Sequence, residues 1–130
     1  QEKGVWIDDS VYLYGRPDYE RPGRGITERK TPKQITKGID KSKPILVLEH
    51  EPRQLQELAD AGVDAQLCGH THDGQMFPGN LLTGLMWENS YGYMKKAGMH
   101  SIVTSGVGIF GPDMRVGTKS EIYDIHITLK

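Results

Sequence analysis

The sequence predicts an α/β fold built on a mixed β-sheet. A short apolar run at residues 45–48 is followed by the apolar stripe of Leu55, Leu58 and Ala59, and then by a second β-prone run at residues 63–68. This order of strand, helix and strand is a βαβ unit, in which the two strands run parallel and the crossover is right-handed. Two predicted hairpins, one on each side of this unit, add antiparallel strands.

The first hairpin opens the chain. Residues 5–7 and 11–14 are β-prone runs that flank the turn-forming residues 8–10. Residues 15–30 contain three Gly, two Pro and many charges, and are predicted to form a loop.

Two helices are predicted from their end signals. A Thr-Pro pair at residues 31–32 is typical of a helix start; Ile35 is that helix's apolar anchor and Gly38 its expected end. The second helix is expected to begin at Pro52 and to end at Gly62.

The C-terminal part predicts a helix, a hairpin and a last strand. Apolar residues recur at helical spacing within residues 81–86, and residues 90–95 and 99–104 read as two strands of a hairpin. Residues 105–117 are a glycine-rich loop, whereas residues 121–129 alternate apolar and polar side chains as a half-buried strand does.

Composition excludes several classes of protein. The 130 residues carry 16 Lys and Arg against 17 Asp and Glu, a formal net charge of −1, so no nucleic-acid partner is expected. The most basic stretch, residues 29–43, is interrupted by Thr, Pro, Gly and Asp and is interpreted as solvated surface. A single cysteine, Cys68, rules out an intramolecular disulfide. No apolar run approaches the roughly 20 residues of a membrane helix.

Three histidines indicate a metal site. His70 and His72 lie one residue apart between Gly69 and Gly74, just after the second strand of the βαβ unit, and His50 follows its first strand. Parallel strands end at the same edge of a sheet, so we expect the three imidazoles to converge there. Neutral imidazoles are the commonest protein ligands of transition metals. The glycines allow a tight turn beside the site.

The other two histidines and the cysteine have simpler interpretations. His100 and His126 lie in predicted strands at the surface, and are expected to be ordinary exposed side chains. Cys68 closes an apolar strand and is expected to be a small buried hydrophobe. The alternative for Cys68 is a nucleophile that uses His70 as its base.

Several motifs carry a resemblance to a known family. The Gly-His-Thr-His motif at residues 69–72, together with Glu-His-Glu-Pro at residues 49–52, resembles the last two motifs of the calcineurin-like metallophosphoesterases. The wider string at residues 63–75 is similar to that of a subgroup of membrane-associated bacterial phosphohydrolases. Residues 106–115 and 120–122 resemble the C-terminal signature of that subgroup.

This resemblance implies the fold and the ligands. Residues 1–130 would form a single C-terminal portion, about half of an α/β/β/α sandwich with a mixed sheet and flanking helices. His50 and His70 would bind one metal ion and His72 the other, in a dinuclear site for Mn, Fe, Zn or Mg that hydrolyses phosphate esters. The family's earlier motifs (Asp-x-His, Gly-Asp and Gly-Asn-His-Asp) do not stand upstream of His50. They would belong to a missing N-terminal half.

The resemblance to this family also implies what the chain does and what it contacts. The proton donor would also lie in the missing half, so no catalytic residue is assigned to this chain, which we expect to bind metal weakly and to be inactive alone. Arg115 is a candidate contact to substrate phosphate, with a structural salt bridge as the alternative. Asp73, where the subgroup has glycine, is a second candidate.

The substrate would be a small phosphate ester or a lipid-linked phosphate, and the parent protein would be associated with the membrane of the bacterial cell envelope. The missing half, or a second copy in a homodimer, would cover an exposed sheet face. Two other functions stay open: a non-catalytic metal-binding or docking module, and a thiol enzyme that uses Cys68.

Overall fold

A computed structural model describes residues 2–18 and 29–128. Within these ranges the elements are β1 (Lys3–Ile7), β2 (Val11–Gly15), α1 (Pro32–Ile35), β3 (Ile45–Leu48), α2 (Leu55–Asp60), β4 (Ala65–Cys68), a 3₁₀ turn (His72–Gly74), α3 (Gly79–Met86), β5 (Gly92–Lys96) and β6 (Met99–Val103). None of the helices in the described ranges has the length and apolar character needed to cross a bilayer.

The six strands form one mixed sheet in the order β1-β2-β3-β4-β6-β5. β2, β3, β4 and β6 are parallel, and the two edge strands β1 and β5 pair antiparallel to their neighbours. This confirms the predicted α/β class, the parallel βαβ unit formed by β3, α2 and β4, and the mixed sheet.

Both predicted hairpins are present. β1 and β2 are joined by a turn in which Asp8 and Asp9 have φ of 48° and 53°. β5 and β6 are joined by Ala97 and Gly98, with φ of 46° and 94°. The β5–β6 connection is a two-residue turn, which needs positive φ at both residues to match the twist of its strands, whereas the β1–β2 connection has a third residue, Ser10. Of the loop predicted at residues 15–30, residues 19–28 lie outside the described part of the chain.

Helix α1 begins where its sequence signal predicts. The Thr31 hydroxyl accepts a hydrogen bond from the Gln34 amide at 3.3 Å, and the Gln34 side-chain oxygen accepts from the Thr31 amide at 2.8 Å. This reciprocal pair of hydrogen bonds is a capping box, which stabilises the first turn of the helix.

Helix α2 begins later than predicted, at Leu55 rather than Pro52. Gln54 has a left-handed backbone, with φ of 57°, which no helix interior accommodates. Its side-chain oxygen accepts hydrogen bonds from Arg16 at 2.8 Å and from Arg29 at 3.1 Å. The start of α2 therefore depends on two arginines distant in sequence, which the local pattern does not reveal.

The core lies between one face of the sheet and helices α1 and α2. Ile35 of α1 and Leu55 and Leu58 of α2 pack with side chains of this face. The buried residues of this cluster are Tyr14, Ile35, Ile45, Val47, Leu55, Leu58, Val63 and Met99. Residues of one strand alternate between faces, so Leu46 and Leu48 point to the other side.

The second face of the sheet is apolar and only partly covered. Val5, Ile7 and Leu48, which share this face by register, are 44%, 46% and 39% exposed. Helix α3 buries no residue that could cover it. The molecule is thus a sheet with helices packed on one side, as expected for half of a layered sandwich.

The strand predicted at residues 121–129 is wrong for residues 121–128; residue 129 lies outside the described range. Ile122, Tyr123, Ile125 and Ile127 are 84%, 41%, 40% and 48% exposed. Alternation marks a segment that can be half-buried in a sheet, but a strand exists only when a neighbour accepts its backbone hydrogen bonds. None of the described strands pairs with this segment.

Candidate metal centre

The parallel strands deliver the candidate residues to one edge of the sheet. β3 ends immediately before Glu49 and His50, and β4 ends immediately before the segment that holds His70 and His72. The predicted placement of the three histidines at a common edge is confirmed. The β1–β2 turn with Asp8 and Asp9 lies at the opposite end of the parallel strands, because it precedes β2 rather than following it.

His50 and His70 are in direct contact. His50 Nε2 lies 3.0 Å from His70 Nδ1, and the two rings meet edge to face with centroids 4.7 Å apart. The other ring nitrogen of His70, Nε2, lies 3.8 Å from Glu51 Oε1, and the Trp87 ring is 5.3 Å from the His70 ring. Strand pairing therefore brings together two imidazoles that are twenty residues apart in sequence.

This separation fits two ligands of one metal ion. Imidazole nitrogens bind transition metals at roughly 2.1 Å. Two of them at roughly a right angle, as in octahedral coordination, would be about 3.0 Å apart. The His50 and His70 nitrogens are at that distance, which is also the length of an N–H···N hydrogen bond between two imidazoles.

His72 is placed differently. It lines the same cavity as His50 and His70, a space of about 510 Å³. Its Nδ1, however, lies 3.4 Å from an Arg115 nitrogen, and its carbonyl oxygen accepts from the same guanidinium at 3.2 Å. Among residues 2–18 and 29–128, no three His, Cys, Asp or Glu side chains are grouped as a metal site. The convergence expected of three imidazoles is found for two.

The backbone around these histidines adopts an unusual conformation. His70, His72, Asp73 and Gln75 all have left-handed φ angles, of 70°, 51°, 50° and 54°. Each such residue costs of order 1–3 kcal/mol and persists only where its surroundings enforce it. Gln75 is buried and exchanges two hydrogen bonds with the Phe110 backbone, at 2.6 and 2.5 Å. Strain of this kind clusters at functional sites.

Only one of the two flanking glycines is required by this geometry. Gly74 has φ of 70°, and a Cβ there would lie 2.1 Å from the Asn80 amide nitrogen. A Cβ at Gly69 would meet nothing closer than 3.8 Å. The tight turn predicted at both positions is therefore found at Gly74.

Within the described ranges, the hydrogen bonds of Arg115 go to backbone carbonyls and to His72, and none goes to a carboxylate. Besides His72 it donates to the carbonyl oxygens of Ser105, Gly106 and Gly108, at 2.8, 3.1 and 2.5 Å. It thereby connects the glycine-rich loop to the His72 turn. The sequence-based alternative to substrate binding was a structural salt bridge; the structural role is observed, but it is made through carbonyl oxygens. Its contact with substrate stays a prediction.

Asp73 follows His72 and is partly buried. Its amide donates to the Thr71 hydroxyl at 3.3 Å, within the turn. Burial raises the pKa of its carboxyl, and the nearby Glu121 carboxylate adds to this effect, while Arg115 opposes it. Its role in substrate binding also stays a prediction.

Cys68 is 6% exposed. Burial strongly raises the pKa of its thiol, so very little thiolate is present at neutral pH. Its sulfur contacts the Glu51 carbonyl oxygen at 3.7 Å. The expectation of a small buried hydrophobe is confirmed, and the environment is unfavourable for a nucleophile.

The remaining histidines are exposed, as predicted. His100 contacts the Tyr93 hydroxyl at 3.1 Å, and His126 contacts Asp124 at 3.1 Å. Residues 124–126, Asp-Ile-His, match the Asp-x-His pattern in sequence, but they are exposed and lie downstream of the other motifs.

A buried charge cluster beneath the site escaped the sequence reasoning. Glu49 is 7% exposed and accepts hydrogen bonds from Arg16 at 3.1 Å, Arg29 at 3.1 Å and Gln66 at 2.6 Å. Because it directly precedes His50, this cluster holds the start of the His50 loop. The one signal in the sequence is a carboxylate that ends an otherwise apolar strand.

The apolar wall of the cavity was also missed. Trp87 and Phe110 line it, as do Leu82 and Met86 of α3. The helical spacing predicted α3 but not that its side chains would face the histidines.

Known proteins similar to this chain are metallophosphoesterases. An uncharacterized metallophosphoesterase of Helicobacter pylori (strain J99) is 41% identical over 85 residues, which cover 64% of this chain and 23% of that protein. One from Aquifex aeolicus is 31% identical over 130 residues, covering 98% of this chain and 49% of the relative. A transmembrane protein with metallophosphoesterase domain from Danio rerio is 32% identical over 127 residues, covering 91% and 28%.

The chain thus spans about half the length of the Aquifex relative and about a quarter of the other two. Neither a family model nor a solved structure matches it. The relatives nevertheless agree in name across bacteria and a vertebrate, and they agree with the family that the motifs indicate. The chain belongs to the metallophosphoesterase family.

Proposed function

We propose that this chain contributes to a dinuclear metal site that hydrolyses phosphate esters, with His50, His70 and His72 as ligands. The observation that carries the proposal is the His50–His70 pair, whose ring nitrogens lie 3.0 Å apart, within the spacing of two ligands of one ion, at the ends of adjacent parallel strands. Family membership adds phosphoester hydrolysis as the reaction.

His50 and His70 would hold one ion and His72 the second, with Mn, Fe, Zn or Mg as candidates. Bound ions of this kind polarise a phosphoryl oxygen and make water a better nucleophile. The chain's own residues orient these ligands. Glu51 Oε1 lies 3.8 Å from His70 Nε2, on the side of the ring away from the Nδ1 that contacts His50, and we propose that it is the outer carboxylate partner of this imidazole.

The position of His72 follows from its turn and from Arg115. The guanidinium holds the His72 carbonyl and reaches its Nδ1. His72 would hold an ion through Nδ1 only in place of that contact, while the guanidinium stays bound to the carbonyl oxygens of Ser105, Gly106 and Gly108. From this position Arg115 is proposed to contact a substrate phosphate oxygen. Asp73, adjacent in the same turn, is proposed to bind substrate on the same side.

The remaining ligands and the proton donor are proposed to come from an N-terminal half outside this sequence. Two observations support this: the family's carboxylate-bearing motifs do not stand upstream of His50, and the second sheet face is apolar and only partly covered. That half would cover the face. A second copy of the chain in a homodimer is the other candidate. On this proposal the isolated chain binds metal weakly and does not turn over substrate.

Hydrolysis of p-nitrophenyl phosphate with added Mn²⁺ tests the proposal. A longer protein in which the proposed N-terminal half precedes this sequence is expected to release p-nitrophenol, whereas the 130-residue chain is expected to show no appreciable turnover. His70→Ala in the longer protein should abolish activity, with His100→Ala as the matched control at an exposed histidine. Turnover by the chain at the rate of the longer protein would contradict the half-site proposal.

A non-catalytic metal-binding module is the second candidate, favoured by one observation: only two imidazoles are paired in the described part of the chain. It predicts no phosphatase activity even in the longer protein.

A thiol enzyme is the other alternative. It predicts that Cys68→Ala abolishes activity while His72→Ala does not, and the burial of Cys68 argues against it.

A further inference from the structure

The cavity at the histidines has two chemically different parts. His50, His70 and His72 line it on one side. Its other wall is apolar and consists of Leu82, Met86, Trp87 and Phe110. The Trp87 ring, with its centroid 5.3 Å from that of His70, joins the two parts.

The apolar wall is open to water. Leu82, Met86 and Phe110 are 61%, 75% and 77% exposed, although they line a cavity. Helix α3, which carries the first two, has no charged residue over Gly79–Met86 and buries none of its side chains. Exposed apolar surface next to converging polar groups is typical of a ligand site rather than of ordinary surface.

We propose that the substrate is a phosphate ester with an alkyl chain, and that this chain lies against the wall formed by Leu82, Met86, Trp87 and Phe110. The proposal rests on the proposed function because it places the phosphate at the histidines. It deepens that function by choosing an amphiphilic phosphate over a small polar one.

Size and continuity support this occupant. A cavity of about 510 Å³ is within the range of sites that enclose ligands larger than phosphate itself. The imidazoles and the apolar wall line the same cavity, so one molecule can contact both. Leu85 provides a contrast: it is 86% exposed on the same helix but does not line the cavity.

The experiment is a chain-length series. n-Alkyl phosphonates from two to ten carbons, whose carbon–phosphorus bond resists hydrolysis, are titrated by calorimetry into the longer protein in Mn²⁺, below the micelle concentration of each ligand. The dissociation constant should fall by about two- to fourfold per added methylene until the wall is covered, because each buried methylene leaves water. n-Decanol, which lacks the phosphonate, should bind far more weakly than decyl phosphonate.

Variants identify the surface involved. Leu82→Ser with Met86→Ser should flatten the chain-length dependence and leave ethyl phosphonate binding unchanged. Leu85→Ser, on the same helix but outside the cavity, should keep the dependence of the unmodified protein. An equal loss in Leu85→Ser would indicate adsorption to the whole exposed helix, as at a membrane surface, and would overturn the proposal.

The outcomes separate this inference from the proposed function. If ethyl and decyl phosphonate bind equally while p-nitrophenyl phosphate is hydrolysed, the alkyl-chain inference is wrong and the function stands. If neither phosphonate binds and no phosphatase activity is found, the proposed function itself fails.

Discussion

At the scale of residues, the His50–His70 contact depends on backbone geometry as much as on residue type. His70 reaches His50 from a left-handed conformation with φ of 70°, immediately after β4. Two residues on, His72 adopts a similar φ of 51°, and its ring turns toward Arg115. Neighbouring histidines thus have different environments although they share one motif.

We predict that His50→Ala or His70→Ala lowers the affinity of the protein for Mn²⁺ by more than about tenfold, since each removes one nitrogen of the paired set. Calorimetric titration with Mn²⁺ measures the effect. His100→Ala, which removes an exposed histidine, is the control and should leave the affinity unchanged. Equal affinity in all three variants would mean that the pair is only a hydrogen bond.

We predict that Gly74→Ala destabilises the turn that carries the histidines. An added Cβ would lie 2.1 Å from the Asn80 nitrogen, in a backbone with φ of 70°. The free energy of unfolding should fall by about 2 kcal/mol or more, since a clash with backbone adds to the cost of a left-handed alanine. Urea unfolding measures it. Gly69→Ala, with no atom nearer than 3.8 Å, should change stability far less.

At the scale of elements, buried charges connect the ends of the strands. Arg16 follows β2, Glu49 follows β3, and the ion pair between them has side chains with 0% exposure on both partners. Gln66 of β4 joins the same carboxylate, and its own side-chain oxygen accepts from the Ser101 hydroxyl of β6 at 3.4 Å. This network crosses the parallel strands just beneath the histidines.

We predict that Glu49→Gln lowers the free energy of unfolding by about 3–5 kcal/mol, because Arg16 and Arg29 would be left without their buried carboxylate. Chemical unfolding of the variant tests this. Glu51→Gln is the matched control: Glu51 pairs with Arg53, whose side chain is 45% exposed, so the loss should be about 1 kcal/mol or less. Similar losses in both variants would contradict the argument.

The C-terminal segment is held by Glu121 rather than by a strand ladder. Its carboxylate accepts from the Ser105 amide at 2.9 Å, the Thr104 hydroxyl at 3.3 Å and the Tyr91 hydroxyl at 2.9 Å. Although burial raises the pKa of Glu121, these hydrogen bonds outweigh burial and lower it. The hydrogen bond from the Tyr91 hydroxyl to Glu121 is the largest cause that raises the pKa of Tyr91 to about 12.

We therefore predict that acid loosens this segment. A carboxyl whose pKa is lowered by folding adds stability above its unfolded pKa of about 4.3, and this stability is lost as pH falls through the folded value. Amide hydrogen exchange of Ser105 and Glu121, the amides whose hydrogen bonds join this segment to the glycine-rich loop, should show lower protection factors at pH 3 than at pH 6. Glu121→Gln should already be loosened at pH 6 and show a much smaller change between the two pH values.

At the scale of the whole molecule, the sheet is covered unevenly. Helices α1 and α2 pack on one face, while Val5, Ile7 and Leu48 on the other are between 39% and 46% exposed. Contiguous apolar surface of this kind drives association with another surface. The isolated chain has this surface available.

We predict that the 130-residue chain self-associates, and that Val5→Glu with Ile7→Glu reduces the association. Light scattering on a sizing column measures the mass of the particle. Leu85→Glu, a charge added to the exposed helix α3, should not reduce it. If only Leu85→Glu gives a monomer, α3 and not the sheet face is the associating surface.

Much of the fold was predictable because its signals are local. Apolar runs, end signals and turn residues act within a few positions, and from them follow both hairpins, α1, α3 and the βαβ unit. The start of α2 was misplaced because Arg16, 38 residues before Gln54, holds Gln54 in a non-helical conformation. The last strand was misplaced because alternation does not supply a pairing neighbour.

The sequence by itself determined that His50 and the His-x-His motif follow adjacent parallel strands, and hence that they reach one edge of the sheet. Its motifs also indicated the family. Only the tertiary structure decided that His50 and His70 pair while His72 turns to Arg115, 43 residues away, and that Glu49 is buried between cations. The reason is physical. Strand direction is set by local pattern and chain connectivity, whereas the orientation of a side chain is set by partners that the folded chain brings from distant positions.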